Sequence, residues 1–219
     1  TTMKISLKPL ALSLAASLAL TASAQGSTPT SSGMTVTPAS GSAYGLLGQS
    51  YMGVNFGYLS LDDGPPDVGH SFGFVANRPT EVTGVDASFK YNYTTMSASG
   101  LNVNLHEFAV GATGYVALAG VKPFAEANVG WGFMRGSGGY SRNSFSFLLG
   151  AGVEIQVGPR VALSPYFNYQ EFTRFGGSGT WNYGLKAAVR IVQQFSATAA
   201  VELDDDQNIT YRFGLNRHF

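Results

Sequence analysis

Histidines and clustered carboxylates are the residues of this sequence most able to do chemistry. His70 lies close to Asp62, Asp63 and Asp67, and acids beside a histidine can activate water for hydrolysis. His106 falls near the same end of its own segment. The loops carrying these groups are too short to wall a cleft around a peptide. A lipid-deacylating site would need a Ser–His pair; no His-x-Ser occurs, and His218 stands at the wrong end of its strand. Asp204-Asp205-Asp206 could attract a divalent cation. Three consecutive residues of an extended chain point in alternating directions, however, so the run reads as a solvated hairpin tip. No phosphate-loop, dinucleotide or zinc signature is present. The expectation is no catalytic residue, no cofactor and no metal site, and hence no enzyme.

Nine other charges are distributed differently. Asp86, Lys90, Glu107, Glu126, Glu154, Lys186, Arg190, Glu202 and Arg212 fall at the positions that alternate with the apolar ones. In the segment from Trp181 to Ile191 the odd positions are apolar, while Asn182, Gly184, Lys186 and Arg190 interleave. A helix would wind those charges around all sides, whereas a strand puts them on one face. Five acids and four bases on an enclosed face must be paired or hydrated. They serve either as ion pairs that hold an interior closed or as a charged constriction that selects ions in a narrow pore. Hairpins centred near residues 140 and 177 would set Glu126 opposite Glu154 and Ser164 opposite Arg190, letting the Arg190 fork bridge two carboxylates. The same logic across residues 97–100 places Lys90 beside Glu107.

The elements that must position these charges are strands. Period-two alternation recurs in blocks such as Met52/Val54/Phe56/Tyr58, Val85/Ala87/Phe89/Tyr91/Tyr93, Ala125/Ala127/Val129/Trp131/Phe133 and Phe195/Ala197/Ala199/Val201/Leu203. About ten strands result, with eight the alternative. The apolar parity switches between Leu105 and Phe108, which predicts a β-bulge near His106-Glu107. Turns are expected at Pro79-Thr80, Val121-Pro123, Gly158-Pro159 and Gln193-Gln194, and loops on the opposite side at Asp62-Gly69, Ser97-Gly100, Gly136-Ser141, Gly176-Gly179 and Asp204-Gln207. Tyr58, Tyr91, Tyr93, Trp131, Phe133, Tyr169, Trp181 and Tyr211 all fall at the loop side. That clustering predicts an aromatic girdle at a membrane interface. The fold class is therefore all-β, a closed antiparallel transmembrane barrel over residues 50–219. Eight strands leave an interior that side chains just fill, so ten imply a largely filled lumen. The inward glycines (Gly53, Gly57, Gly130, Gly132, Gly150, Gly152, Gly184, Gly214) would leave space for a narrow pore at most.

Composition agrees with this reading. Charged residues make up 12% of the 219, about half of the roughly 25% usual in soluble domains, yet no segment beyond the N-terminal region approaches the length of a transmembrane helix. Lys4 and Lys8, the eleven-residue apolar run Leu10–Leu20 and Ala22-Ser23-Ala24 have the layout of a secretory signal peptide, with cleavage expected after Ala24. Residues 25–49 are rich in Ser, Thr, Gly and Pro and read as a flexible periplasmic lead that could thread partly into the lumen. With 13 basic and 13 acidic residues and no cysteine, neither nucleic-acid binding nor disulfides enter the expectation.

Signal peptide, alternating strands, Gly-rich inward faces and a Gly-Leu-x-x-x-Phe ending together resemble the small outer-membrane β-barrel family, the opacity-type and OmpA-transmembrane-like proteins often labelled porin-family. The resemblance covers about three quarters of the chain and implies a Gram-negative outer-membrane location, with membrane lipid and the barrel-assembly machinery as partners and a monomer favoured. It further implies that Phe213, Leu215 and Phe219 form the assembly signal. Arg217 departs from the family pattern, where an aromatic is more usual; an arginine one step from the rim can snorkel. Adhesion through the loops is the alternative role, and a surface protease or lipid-modifying enzyme a remoter one.

Overall fold

A sheet with one apolar and one charged face can satisfy both, and all its edge hydrogen bonds, by curling until its first and last strands meet. The computed structural model has that closure. It describes residues 45–60, 68–98, 101–139, 141–175 and 179–219. The expected signal peptide, residues 25–44 of the expected lead, and Asp62, Asp63 and Asp67 lie outside the described residues.

Ten strands run in chain order: β1 Tyr51–Ser60, β2 Val68–Pro79, β3 Val85–Ala98, β4 Leu101–Tyr115, β5 Val121–Gly136, β6 Ser141–Gly158, β7 Val161–Phe172, β8 Thr180–Val192, β9 Phe195–Asp204 and β10 Ile209–His218. Each pairs antiparallel with its sequence neighbours, and β1 closes on β10 from Tyr51↔His218 to Ser60↔Ile209. One end of the barrel, here the turn end, carries the β2–β3, β4–β5, β6–β7 and β8–β9 connections and residues 45–50. The other, the loop end, carries the remaining five connections, including a 3-10 turn at Ser137–Gly139.

The barrel is inside-out relative to a soluble domain. Among the described residues, thirteen polar or charged side chains are buried against four hydrophobic ones, while 28 large hydrophobics are exposed. Met52, Val54, Phe56 and Tyr58 of β1 face outward, as do Tyr211, Phe213 and Leu215 of β10, so the apolar belt continues across the closing seam.

Two sequence expectations are corrected. No bulge occurs near His106-Glu107: β4 pairs without interruption with β3 and β5. The parity break is absorbed by side chains instead. Leu105 turns inward to line a lumen cavity, and Asn104 and His106 are left on the outer surface. Register shifts occur at the turn end, between Gln156 and Gly158 and between Arg190 and Val192. Val121-Pro123 is not a turn but the start of β5; the chain reverses at Ala119-Gly120, where Leu118 and Val121 exchange backbone hydrogen bonds and Gly120 takes a φ of 75° that favours glycine.

Candidate functional site: the polar lumen

Every inward position follows from the strand period, so the lumen is lined by the alternate residues that the outer belt leaves out. Asp86, Lys90, Glu107, Glu126, Glu154, Lys186, Glu202 and Arg212 all border its cavities. Arg190 is buried at the turn end.

Their pairing differs from the sequence expectation. The β5–β6 hairpin sets Glu126 opposite Gly150 and Glu154 opposite Lys122, and β7–β8 sets Ser164 opposite Lys186. Each hairpin is therefore centred two residues earlier than expected, and opposite charges meet where like charges were anticipated. Lys90 does not bond Glu107; its Nζ lies 3.0 Å from Glu126 Oε2, across β4, where the inward residues are Ala109 and Gly111. Asn128 Nδ2 donates to the same oxygen at 3.2 Å. Glu107 instead accepts from Ser146 Oγ at 2.8 Å and from Gln170 Nε2 at 3.1 Å. Arg190 donates to the Gln193 carbonyl at 3.0 Å and approaches Gln49 Oε1 at 3.5 Å, rather than bridging the two glutamates. Lys186 makes no direct ion pair among the described residues. It borders the cavity that Glu126, Glu154 and Glu202 also line.

The inward glycines have a use that the sequence reading missed. Tyr166 of β7 and Glu202 of β9 are both register partners of Gly184 on β8. With no side chain there, the Tyr166 hydroxyl passes over β8 and donates to Glu202 Oε1, which also pairs with Arg212 Nη1 at 2.8 Å. A Cβ at Gly184 would fall on the Tyr166 ring, and one at Gly152 on Phe124 and Tyr166. Gly132 likewise accommodates Phe172 and Phe175, whose rings stack at 4.9 Å inside the loop end. Much of the space expected at these glycines is thus taken by large side chains from neighbouring strands. Two adjoining cavities remain, about 270 Å³ and about 210 Å³.

At the turn end the lumen is occupied by the chain itself. Leu46 is buried, and its N–H and that of Leu47 donate to Glu154 Oε2 at 2.8 and 3.4 Å. Lys122 Nζ donates to the Leu47 carbonyl at 2.8 Å and lies 3.4 Å from Glu154 Oε1. The Gly48 N–H donates to Asp86 Oδ2 at 2.8 Å, and Asn77 Nδ2 bonds both that oxygen and the Gln49 carbonyl. Gly48 sits at φ 80°, and a Cβ at Gly45 would land on the Glu154 carboxylate. The one hint in the sequence was Gly45-Leu46-Leu47-Gly48, an apolar pair between glycines in a stretch otherwise rich in Ser and Thr.

The expected girdle residues face outward near the loop end. Tyr58 and Tyr211 are register partners, Tyr91 O–H meets His106 Nδ1 at 3.0 Å, Tyr93 donates to Asn104 at 3.0 Å, and Phe133 lies opposite His106. Tyr169 packs on Trp181 at 5.2 Å, and Trp131 pairs with Phe108 and Phe145. Phe213, Leu215 and Phe219 are exposed, and the Arg217 guanidinium lies over the Phe219 ring at 5.4 Å. His70 stacks on Phe56, while His218 bonds Ser196 within the wall at 2.8 Å. Asp204 is committed to its own turn, accepting from the N–H groups of Asp206 and Asn208.

No protein-family model matches the chain, and no curated protein matches it. Among solved structures it is similar to Neisserial surface protein A (14% identity, TM-score 0.45, covering 78% of this chain and 97% of that one). Others are the NanC porin (9%, 0.49, 77% and 100%) and Ail, the attachment invasion locus protein of Yersinia pestis (12%, 0.41, 80% and 100%).

Proposed function

We propose that this chain is an integral β-barrel of a bacterial outer membrane, structural and non-enzymatic, whose lumen is closed to all but trace ion flow. The membrane half of the reading rests on the inverted burial: a continuous apolar belt outside and ion pairs inside suit a barrel standing in hydrocarbon. The observation that carries the closed lumen is its double obstruction, by residues 46–49 fastened to Glu154, Lys122 and Asp86 at one end and by Phe172 on Phe175 at the other. Residues 1–24 would export the chain, the turn end would face the periplasm, and Phe213, Leu215 and Phe219 would be read by the barrel-assembly machinery. A narrow pore is the second reading. It is favoured by the two cavities, which share Lys90, Asn92, Leu148 and Arg212 in their walls and would join if those side chains moved.

Single-channel recording of refolded protein in planar bilayers separates the two. No steady steps are expected; a large, steady, salt-dependent conductance overturns the closed-lumen reading. Failure of the refolded barrel to insert into vesicles overturns the membrane reading.

A further inference from the structure

The outer wall near the loop end carries a graded patch on β4, β5 and β6. Its lowest row is apolar, Phe108–Trp131–Phe145; the next is His106–Phe133–Asn143; the uppermost is Asn104–Arg135–Ser141. Arg174 joins it from beyond β7, held by its N–H donating to Ser144 Oγ at 2.8 Å. Arg135, Arg142 and Arg174, with His106, Phe108 and Phe133, line a cleft of about 640 Å³, and Trp131 and Phe145 continue the row of Phe108 beside it. Among the described residues, no carboxylate pairs with Arg135 or Arg174. Arg135, Arg142 and Arg174 thus converge on one cleft, whose wall also holds Phe108 and Phe133, directly above an aromatic surface.

We propose that this cleft seats the phosphorylated headgroup of a membrane lipid, with its acyl chains lying down the Phe108–Trp131–Phe145 row. A free anion would use the arginines but gain nothing from the apolar rows beneath them, and an uncharged lipid would gain nothing from the arginines. A lipid phosphate uses both, because guanidinium forks match phosphate oxygens bidentately and the belt supplies the apolar surface. The proposal rests on the reading that the barrel spans a bilayer.

The test is lipid retention by folded protein in native mass spectrometry, comparing phosphatidic acid with the diacylglycerol of the same chains and with inorganic phosphate. The wild type is expected to hold phosphatidic acid in preference to diacylglycerol. Arg135→Gln/Arg174→Gln should hold it roughly 30-fold more weakly, since each arginine near an anionic headgroup contributes about fivefold. Arg160→Gln, at the turn end, should not change it. Arg135→Lys/Arg174→Lys keeps the charges without the forks and should fall between, which keeps the test open if the double glutamine variant does not fold. Equal retention by the glutamine and wild-type proteins, equal retention of diacylglycerol, or displacement of the lipid by inorganic phosphate overturns the proposal. A wild type that never enters vesicles instead overturns the membrane reading, so the two failures are distinguishable.

Discussion

Glu154→Gln should release the segment that closes the turn end while leaving the barrel intact. The carboxylate is 5% exposed, accepts two N–H groups from Leu46 and Leu47, and pairs with Lys122. Hydrogen bonds to a charged acceptor contribute about 1.5–3 kcal/mol each and neutral ones about 0.5–1.5, so neutralising the acceptor of two such bonds costs the segment roughly 2–3 kcal/mol. Weakened compensation of buried Lys122 adds to this, although its bond to the Leu47 carbonyl persists. A cost near 3 kcal/mol multiplies the released population about 100-fold. The chain has no cysteine, so Leu47→Cys introduces a single thiol whose labelling by a water-soluble maleimide reports release. Labelling should be slow in the Leu47→Cys protein and up to about 100-fold faster once Glu154→Gln is added, with unchanged heat-resistant gel migration of the folded barrel. Equal rates in the two proteins would refute the reasoning, as would full reactivity in the presence of Glu154.

Other perturbations test neighbouring parts of the structure. Adding Phe172→Ala/Phe175→Ala to Glu154→Gln removes both obstructions, and ion steps absent from either parent should appear in planar bilayers. Gly184→Val places a branched side chain on the Tyr166 ring and breaks its bond to Glu202; the thermal midpoint of the folded gel band should fall, by about 1–3 kcal/mol of overpacking strain. Lys90→Met leaves Glu126 with Asn128 alone at the carboxylate and should cost about 1–3 kcal/mol, discounted because Lys90 is 32% exposed; adding Glu126→Leu should recover most of that loss in urea refolding. Val110→Lys puts a cation in the middle of the belt, where Val110 is 54% exposed, and should reduce insertion into vesicles by about 2–4 kcal/mol.

Much of the architecture was legible because strand alternation is local. Two neighbouring residues of an extended chain face opposite ways whatever lies across from them, so the outward set Met52/Val54/Phe56/Tyr58 and the inward lining by Asp86, Lys90 and Glu126 could be read without a partner strand. The count of ten followed from the same signal, interrupted by turn chemistry. Where the apolar pattern itself broke, at Leu105, the inference failed. A bulge would have forfeited ladder hydrogen bonds to keep Val103 and Leu105 outside, whereas a lumen cavity already had room for Leu105.

Which charge meets which was not local. A hairpin centre displaced by two residues keeps every side chain on its face, so the alternation cannot detect the error, yet it exchanges Glu154 for Gly150 opposite Glu126. Lys90 reaching Glu126 over β4, and Tyr166 reaching Glu202 over Gly184, depend on a third strand being bare at the crossing point. The fastening of Leu46 and Leu47 depends on where a closed barrel brings Glu154, more than a hundred residues away in the chain. The sequence alone thus determined the two faces of the wall, because facing is a property of each strand. The contents of the lumen emerged only with closure, which sets register and distance among residues that the chain itself keeps apart.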